Sequence, residues 1–196
     1  MEKLIKIFKK KKGFARMKEL REAGIQTREI AEAIETKIIE KIKPGLYKLK
    51  DYPFDENESL VSVCKAKSSA VICLLSAAAF YELTTYNPKE IFVAVPHNTD
   101  KFRLAYPPLN VYYFIDKYYQ HGIIVQDTKS GEIKIYNKEK TIIDLFRYKD
   151  KLGEDVFLES LKNYLRSKER KITKLSDMAG KFDLYKKMEP YIKGAM

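Results

Sequence analysis

An α+β chain of two domains is predicted from three features of the 196-residue sequence. A Pro-Gly turn joins two short alternating runs in IIEKIKPGLYKL, Ile38 to Leu49, directly behind two compact stretches of helical period. The middle of the chain holds several strand-like runs, and its last third repeats apolar residues at helical spacing. Between the opening and the rest lies Tyr52 to Ser59, with Pro53, Asn57 and three acidic residues, which reads as a linker. The expected domains are therefore 1–52 and 60–196.

In the opening segment Leu4, Ile5 and Phe8 recur at helical spacing, and Phe14, Met17 and Leu20 do the same in the next. The second helix is expected to stop at Ala23-Gly24, because glycine takes the left-handed conformation that closes a helix. A third helix then starts near Thr27, whose hydroxyl can accept from the free amides of the first turn. Glu29 favours the positive end of the helix dipole, and Ile30, Ile34 and Ile38 share one buried stripe. Two helices joined by a glycine-containing turn of about four residues form a helix-turn-helix. The ribbon that follows turns at Pro44-Gly45 between Ile42 and Leu46 and leaves Lys41, Lys43 and Lys48 to project. The order predicts an N-terminal winged helix-turn-helix.

Beyond the linker, Ala70 to Leu75 reads as a buried strand leading into a small-residue helix from Ser76 to Leu83. Glu90 to Pro96 and Val111 to Ile115 are further strands. Gly122 to Asp127 and Glu132 to Tyr136 form a hairpin across Lys129-Ser130-Gly131, with Ile133 and Ile135 on one face and Lys134 on the other. Asn137 can cap a helix that packs through Ile142, Ile143, Leu145 and Phe146, with Lys140 four residues before Asp144 and within pairing reach. Three more helices are built on Phe157, Leu158, Leu161, Tyr164 and Leu165, on Ile172, Leu175, Ala179 and Phe182, and on Leu184, Met188 and Ile192. The second domain is thus a mixed β-sheet with a helical C-terminal tail.

Charge is distributed unevenly. Residues 1–51 carry +7, residues 52–161 carry −2 and residues 162–196 carry +6, within a net charge of +11. Cationic ends around a near-neutral middle suit a polyanion, since each neutralised phosphate releases condensed counterions. A lysine-rich solvated surface would show the same balance, but the coincidence with a helix-turn-helix favours DNA. Gln26, Thr27 and Arg28, at the N-terminal end of the third helix, are the expected base contacts. Lys37, Lys41, Lys43 and Lys48 would grip phosphate, assisted by Arg16 and Lys18. Glu29, Glu32 and Glu35 share the exposed face of that helix and repel phosphate, so the wing is expected to contribute more than the helix. A contact from Glu32 to cytosine is chemically available, but an ordinary solvated helix face is the preferred reading. Arg166, Lys168, Arg170, Lys171 and Lys174 make a second basic surface, for DNA or a partner, or else a solvated helix edge.

The pattern FARMKELREAGIQTREI, then KIKPGLYKL, then AVICLLSAAAFYEL, IFVAVP and EKTIIDLFRYKDKLG resembles the AbiEi-type antitoxins of type IV toxin-antitoxin, or abortive infection, systems. The resemblance rests most on Gly45 and Tyr47 of the wing, on Ser76-Ala77 before the strand ending in Val95-Pro96, and on Thr141 with Asp144. It implies a transcriptional autorepressor whose winged helix binds the operator of its own operon. It also implies a C-terminal domain that counteracts a nucleotidyltransferase toxin, and it brings no catalytic residue. A winged-helix regulator unlinked to any toxin is the nearest alternative.

A nuclease is the other class. Glu132 and Lys134 have the spacing of a Glu-x-Lys half-site, on one face of a strand, where Asp116 or Asp127 could complete a Mg²⁺ site. Such matches are also what the wet face of any hairpin shows. His97 and His121 have no partners at metal-ligand spacing, and there is no Walker loop, GxGxxG or nucleophile elbow, so neither cofactor nor metal is expected. Cys64 and Cys73 are too few for a disulfide framework, which fits a reducing cytoplasm. The apolar stretch Ala70 to Phe80 is too short to cross a bilayer, and the lysine-rich start has no signal-peptide character.

Overall fold

The first helix of the computed structural model, α1 (Glu2–Lys10), turns Leu4 and Phe8 inward. Residues 1–53 and 55–195 are described. Phe54, inside the predicted linker, and Met196, which ends the predicted second domain, lie outside them. After α1 come β1 (Phe14–Arg16), α2 (Met17–Glu22), α3 (Thr27–Glu35), β2 (Ile39–Lys43) and β3 (Leu46–Leu49), and then α4 (Glu58–Ala66).

The order α1-β1-α2-α3-β2-β3 is a winged helix, with one correction to the sequence reading. Phe14 does not open the second helix. Phe14, Ala15 and Arg16 form a short strand paired antiparallel to β3, with Phe14 opposite Lys48 and Arg16 opposite Leu46. Both Phe14 and Ala15 are buried, a burial that suits a short strand as well as a helix, and the partner strand decides between them. The resulting sheet runs β1-β3-β2. A bulge between Lys41 and Lys43 shifts the β2–β3 register just before the Pro-Gly turn, where Gly45 takes φ +79°. The core of this domain is Leu4, Phe8, Ala15, Leu20, Ile25, Ile30, Ala33, Ile39, Tyr47 and Leu49. Ile34 and Ile38 are only half-buried beside it, so the predicted stripe is carried by Ile30 and Ala33.

All three helices close in the same way. The amides of Gly13, Ile25 and Ile38 donate to Phe8, Leu20 and Ala33 carbonyls at 2.8, 2.9 and 2.9 Å, with Lys12, Gly24 and Lys37 in the left-handed region. Glycine was legible at one of these three stops only; at the other two a lysine adopts the positive φ.

Residues Met1–Ser68, Arg103–Pro108 and Gln126–Ile133 form one compact unit, and Ser69–Phe102, Leu109–Val125 and Lys134–Met196 a second. Helix α4, which sequence periodicity did not single out, belongs to the first. Asp55, buried, anchors its approach: its carboxylate accepts from the amides of Asn57 at 3.1 Å and Ser130 at 2.8 Å. Burial alone would raise the Asp55 pKa, but these amides outweigh it and hold the carboxyl below the usual aspartate value.

The second unit is built on β4 (Val71–Ile72), α5 (Leu74–Phe80), β5 (Ile91–Pro96), β6 (Leu109–Phe114), α6 (Asp116–Tyr119), β7 (Ile123–Thr128) and β8 (Gly131–Tyr136). The turn-side residues of the last two strands, 126–133, belong to the first unit. The sheet order is β6-β5-β4-β8-β7, mixed as predicted: β4 pairs antiparallel to β5 and parallel to β8, while β5 and β6 are parallel. Then follow α7 (Lys138–Arg147), α8 (Lys149–Leu152), α9 (Glu154–Arg166), α10 (Ile172–Lys181) and α11 (Tyr185–Ala195). Asn137 caps α7 by accepting from the Lys140 amide at 2.9 Å, as its position predicted.

The predicted Lys140–Asp144 pair forms, but in the core rather than on a surface. Both side chains are at 0% exposure, and Asp144 also accepts from Arg147 at 2.7 Å. The Lys140 ammonium lies 4.3 Å from the centroid of the Tyr136 ring and 5.1 and 5.4 Å from those of Phe114 and Phe182. Burial holds Lys140 below the usual lysine value, against the pull of Asp144.

Candidate nucleic-acid interface

The α2–α3 turn presents Gln26, Thr27 and Arg28, all exposed. Its geometry follows from Gly24 at φ +80°, which lets the chain reverse, and from Ile25, whose buried side chain pins the turn to the core. Thr27 does not cap the helix as expected. The residue before the helix is Gln26, whose amide donates to the Glu29 carboxylate at 2.8 Å, and the Thr27 hydroxyl accepts from Arg21 Nη2 at 3.1 Å. Glu29 is therefore partly occupied by the helix end, whereas Glu32 and Glu35 stand exposed on the same helix. Arg21 is a neighbour that periodicity alone does not reveal, since only the reversal at Gly24 returns it to Thr27.

The predicted wing contacts divide. Lys41 is exposed, and Lys37, exposed at φ +57°, sits just past α3. Among the described residues, neither side chain makes a hydrogen bond or ion pair. Lys43 and Lys48, expected to project, are instead held by α4. Lys48 has a side-chain exposure of 14% and lies between Glu58 at 2.5 Å and Glu40 at 3.4 Å. Lys43 donates to the Ala66 carbonyl, and burial, with the repulsion of Arg16 and Lys67, lowers its pKa.

Arg16 reaches the same helix end and donates to the Lys65 carbonyl at 2.8 Å. Two cations thus meet the negative C-terminal end of α4, in accord with the helix dipole, and Lys48 pairs with Glu58, the acidic residue of that helix's first turn. Nothing in the spacing of Lys43 and Lys48 signals this, because their partners lie beyond the linker. Lys18 makes a long, exposed ion pair with Glu22 at 3.8 Å, which leaves its ammonium available to solvent.

The second basic surface is all exposed: Arg166 ends α9, Lys168, Arg170 and Lys171 occupy the connection, and Lys174 lies on α10. Lys174 and Lys171 tie it to the helices. Lys174 pairs with the nearly buried Glu139 at 2.9 Å, and the Lys171 amide donates to the Tyr164 hydroxyl at 2.9 Å. Around the Glu-x-Lys candidate, Glu132 and Lys134 alternate with buried Ile133 and Ile135 on β8. Asp127 is bridged to Lys12 at 2.7 Å. Among the described residues no three His, Cys, Asp or Glu side chains converge as a metal site. No described helix is long and apolar enough to cross a membrane.

No curated protein matches the chain. Residues 2–50, the segment that folds as α1 to β3, match the family model described as "Transcriptional regulator, AbiEi antitoxin". Over this winged-helix segment the chain is similar to the AbiEi antitoxin family of transcriptional regulators.

Proposed function

We propose that the chain is a cytoplasmic DNA-binding autorepressor and antitoxin of a type IV toxin-antitoxin system. Its winged helix recognises duplex DNA at the operator of its own operon, and its second unit serves in countering a nucleotidyltransferase toxin. The observation that carries this reading is the coincidence of the family match over residues 2–50 with an intact helix-turn-helix whose Gln26-Thr27-Arg28 end is exposed. Among the described residues the Arg28 side chain has no hydrogen-bond or ion-pair partner, and it offers a bidentate donor suited to a guanine edge, while Gln26 suits adenine. Lys37 and Lys41, also without partners, supply phosphate contacts that fix the register. The toxin side of the proposal rests on the family's description as an antitoxin, not on a site in the second unit.

The test has two arms. Fluorescence anisotropy with labelled duplex from upstream of its own reading frame should show specific binding. Arg28→Ala should narrow the gap between operator and random duplex, a loss of about 1–3 kcal/mol of discrimination at one base position. Lys41→Ala should weaken both duplexes alike and lower the salt slope by roughly 0.9. Unchanged binding in both variants at moderate salt would remove the winged helix from the mechanism. In the second arm, co-expression should restore growth to cells carrying a nucleotidyltransferase encoded beside the gene, and failure of that rescue would leave a regulator without an antitoxin role.

A further inference from the structure

We infer that the principal phosphate-gripping surface of the winged helix is the outer face of α1, formed by Lys3, Lys6, Lys9 and Lys10, with duplex DNA backbone as its partner. The inference rests on the DNA-binding reading above and assigns the residues that supply its electrostatic affinity.

The first unit uses its acidic groups selectively. Lys11 is paired with Glu19 at 2.6 Å, Lys12 with Asp127 at 2.7 Å, Lys18 with Glu22 at 3.8 Å and Lys48 with Glu58 at 2.5 Å, while Lys43 is spent on the α4 terminus. The four lysines of α1 are exposed, and among the described residues no hydrogen bond or ion pair reaches any of their ammonium groups. Leu4 and Phe8 face the core, with Ile5 and Ile7 half-buried at its edge, so all four ammonium groups share the opposite arc of the helix. Lys3 and Lys6, Lys6 and Lys9, and Lys6 and Lys10 are neighbours at three or four residues' spacing, where like charges destabilise a helix. The helix dipole accounts for Lys9 and Lys10 in the last turn and does nothing for Lys3 or Lys6. A row of unscreened cations at this spacing is the arrangement that a line of phosphates neutralises.

Two placements tie the row to the reading helix. The Lys3 ammonium lies 3.3 Å from the point where a Cβ on Gly24 would stand, so the start of α1 borders the α2–α3 turn. The exposed part of α3 itself bears Glu32 and Glu35 against Arg28, and two wing lysines are occupied. Beyond Lys37 and Lys41, phosphate affinity therefore has to come from elsewhere in this domain, and α1 is where free positive charge is concentrated.

The test is the full-length chain with Lys3, Lys6, Lys9 and Lys10 all changed to Gln, read by anisotropy against operator and random duplexes across a salt series. Gln keeps helix propensity, and circular dichroism with thermal melting verifies the fold. The inference expects a salt slope lower by roughly 3 to 4, a loss of at least about tenfold in affinity for both duplexes at moderate salt, and an unchanged ratio between them. A folded variant that binds both duplexes with the wild-type slope would overturn it while leaving the winged-helix reading intact. Wild-type protein that binds no duplex would instead defeat the underlying reading. Loss of binding to single-stranded RNA in place of duplex would transfer the α1 face to a different polyanion and equally overturn the assignment.

Discussion

Asp144 is the side chain whose removal the second unit should tolerate least. It is fully buried and serves two cations: Lys140, also at 0% side-chain exposure, and Arg147, at 16%. Asp144→Ala strands the Lys140 ammonium among the rings of Tyr136, Phe114 and Phe182, which offer a negative face but no acceptor lone pair. Breaking a buried pair by deleting one partner costs about 3–5 kcal/mol, because the orphaned charge keeps its desolvation penalty. With a urea dependence of about 2 kcal/mol per molar, the unfolding midpoint should fall by about 2 M. Lys140→Met is predicted to be milder, below about 2 kcal/mol. Asp144 then retains Arg147, and the thioether fills the aromatic cage with a chain of similar length. Once Lys140 is Met, removing Asp144 strands only Arg147, which can turn toward water. The double variant should therefore recover at least about 1 kcal/mol relative to the sum of the single changes. Urea titrations followed by far-UV circular dichroism measure all three, and tyrosine emission gives a second probe in a chain without Trp. Additivity within about 0.5 kcal/mol, or a Lys140→Met loss as large as that of Asp144→Ala, would refute the account of a cation held chiefly by this carboxylate.

Three further outcomes follow from the first unit. Gly13→Ala should cost more than Gly45→Ala in thermal or urea unfolding. Both hold a positive φ, worth about 1 kcal/mol to a side chain, but a Cβ on Gly13 would stand 2.8 Å from the Tyr52 ring whereas Gly45 has open space. Equal losses would show that the Tyr52 ring moves freely. Asp55 has a folded pKa below its unfolded value, so its contribution is complete above the ordinary aspartate value of about 3.9 and disappears as pH falls through the lower folded value. Asp55→Asn should thus be destabilised at neutral pH and converge with wild type in acid; a constant difference across the profile would contradict this. Lys48→Met should lower stability through the loss of Glu58 and Glu40 while leaving the salt slope of DNA binding unchanged, and a drop in that slope would show that Lys48 reaches phosphate after all.

The amino-acid sequence by itself determined the parts that rest on local periodicity and turn chemistry. Leu4 and Phe8, the Ala23-Gly24 stop and the Pro44-Gly45 turn placed α1, the end of α2 and the wing, and Asn137 with its following apolar residues placed α7. Each of these signals is written within a few residues of where it acts, so a linear reading captures it. What tertiary structure alone decided depends on partners remote in the chain. Phe14 became a strand because β3 lies beside it, and Lys140–Asp144 became a core pair because β6, β8 and Phe182, just past α10, close around an i,i+4 spacing that also suits a solvated helix face. The same distinction governs the site. Exposure of Gln26, Thr27 and Arg28 was readable from their place after the helix-turn-helix reversal. The occupation of Lys43 and Lys48 by α4 was not, because their charge is visible in the sequence while the carbonyl and carboxylates that neutralise it are brought to them only by the fold.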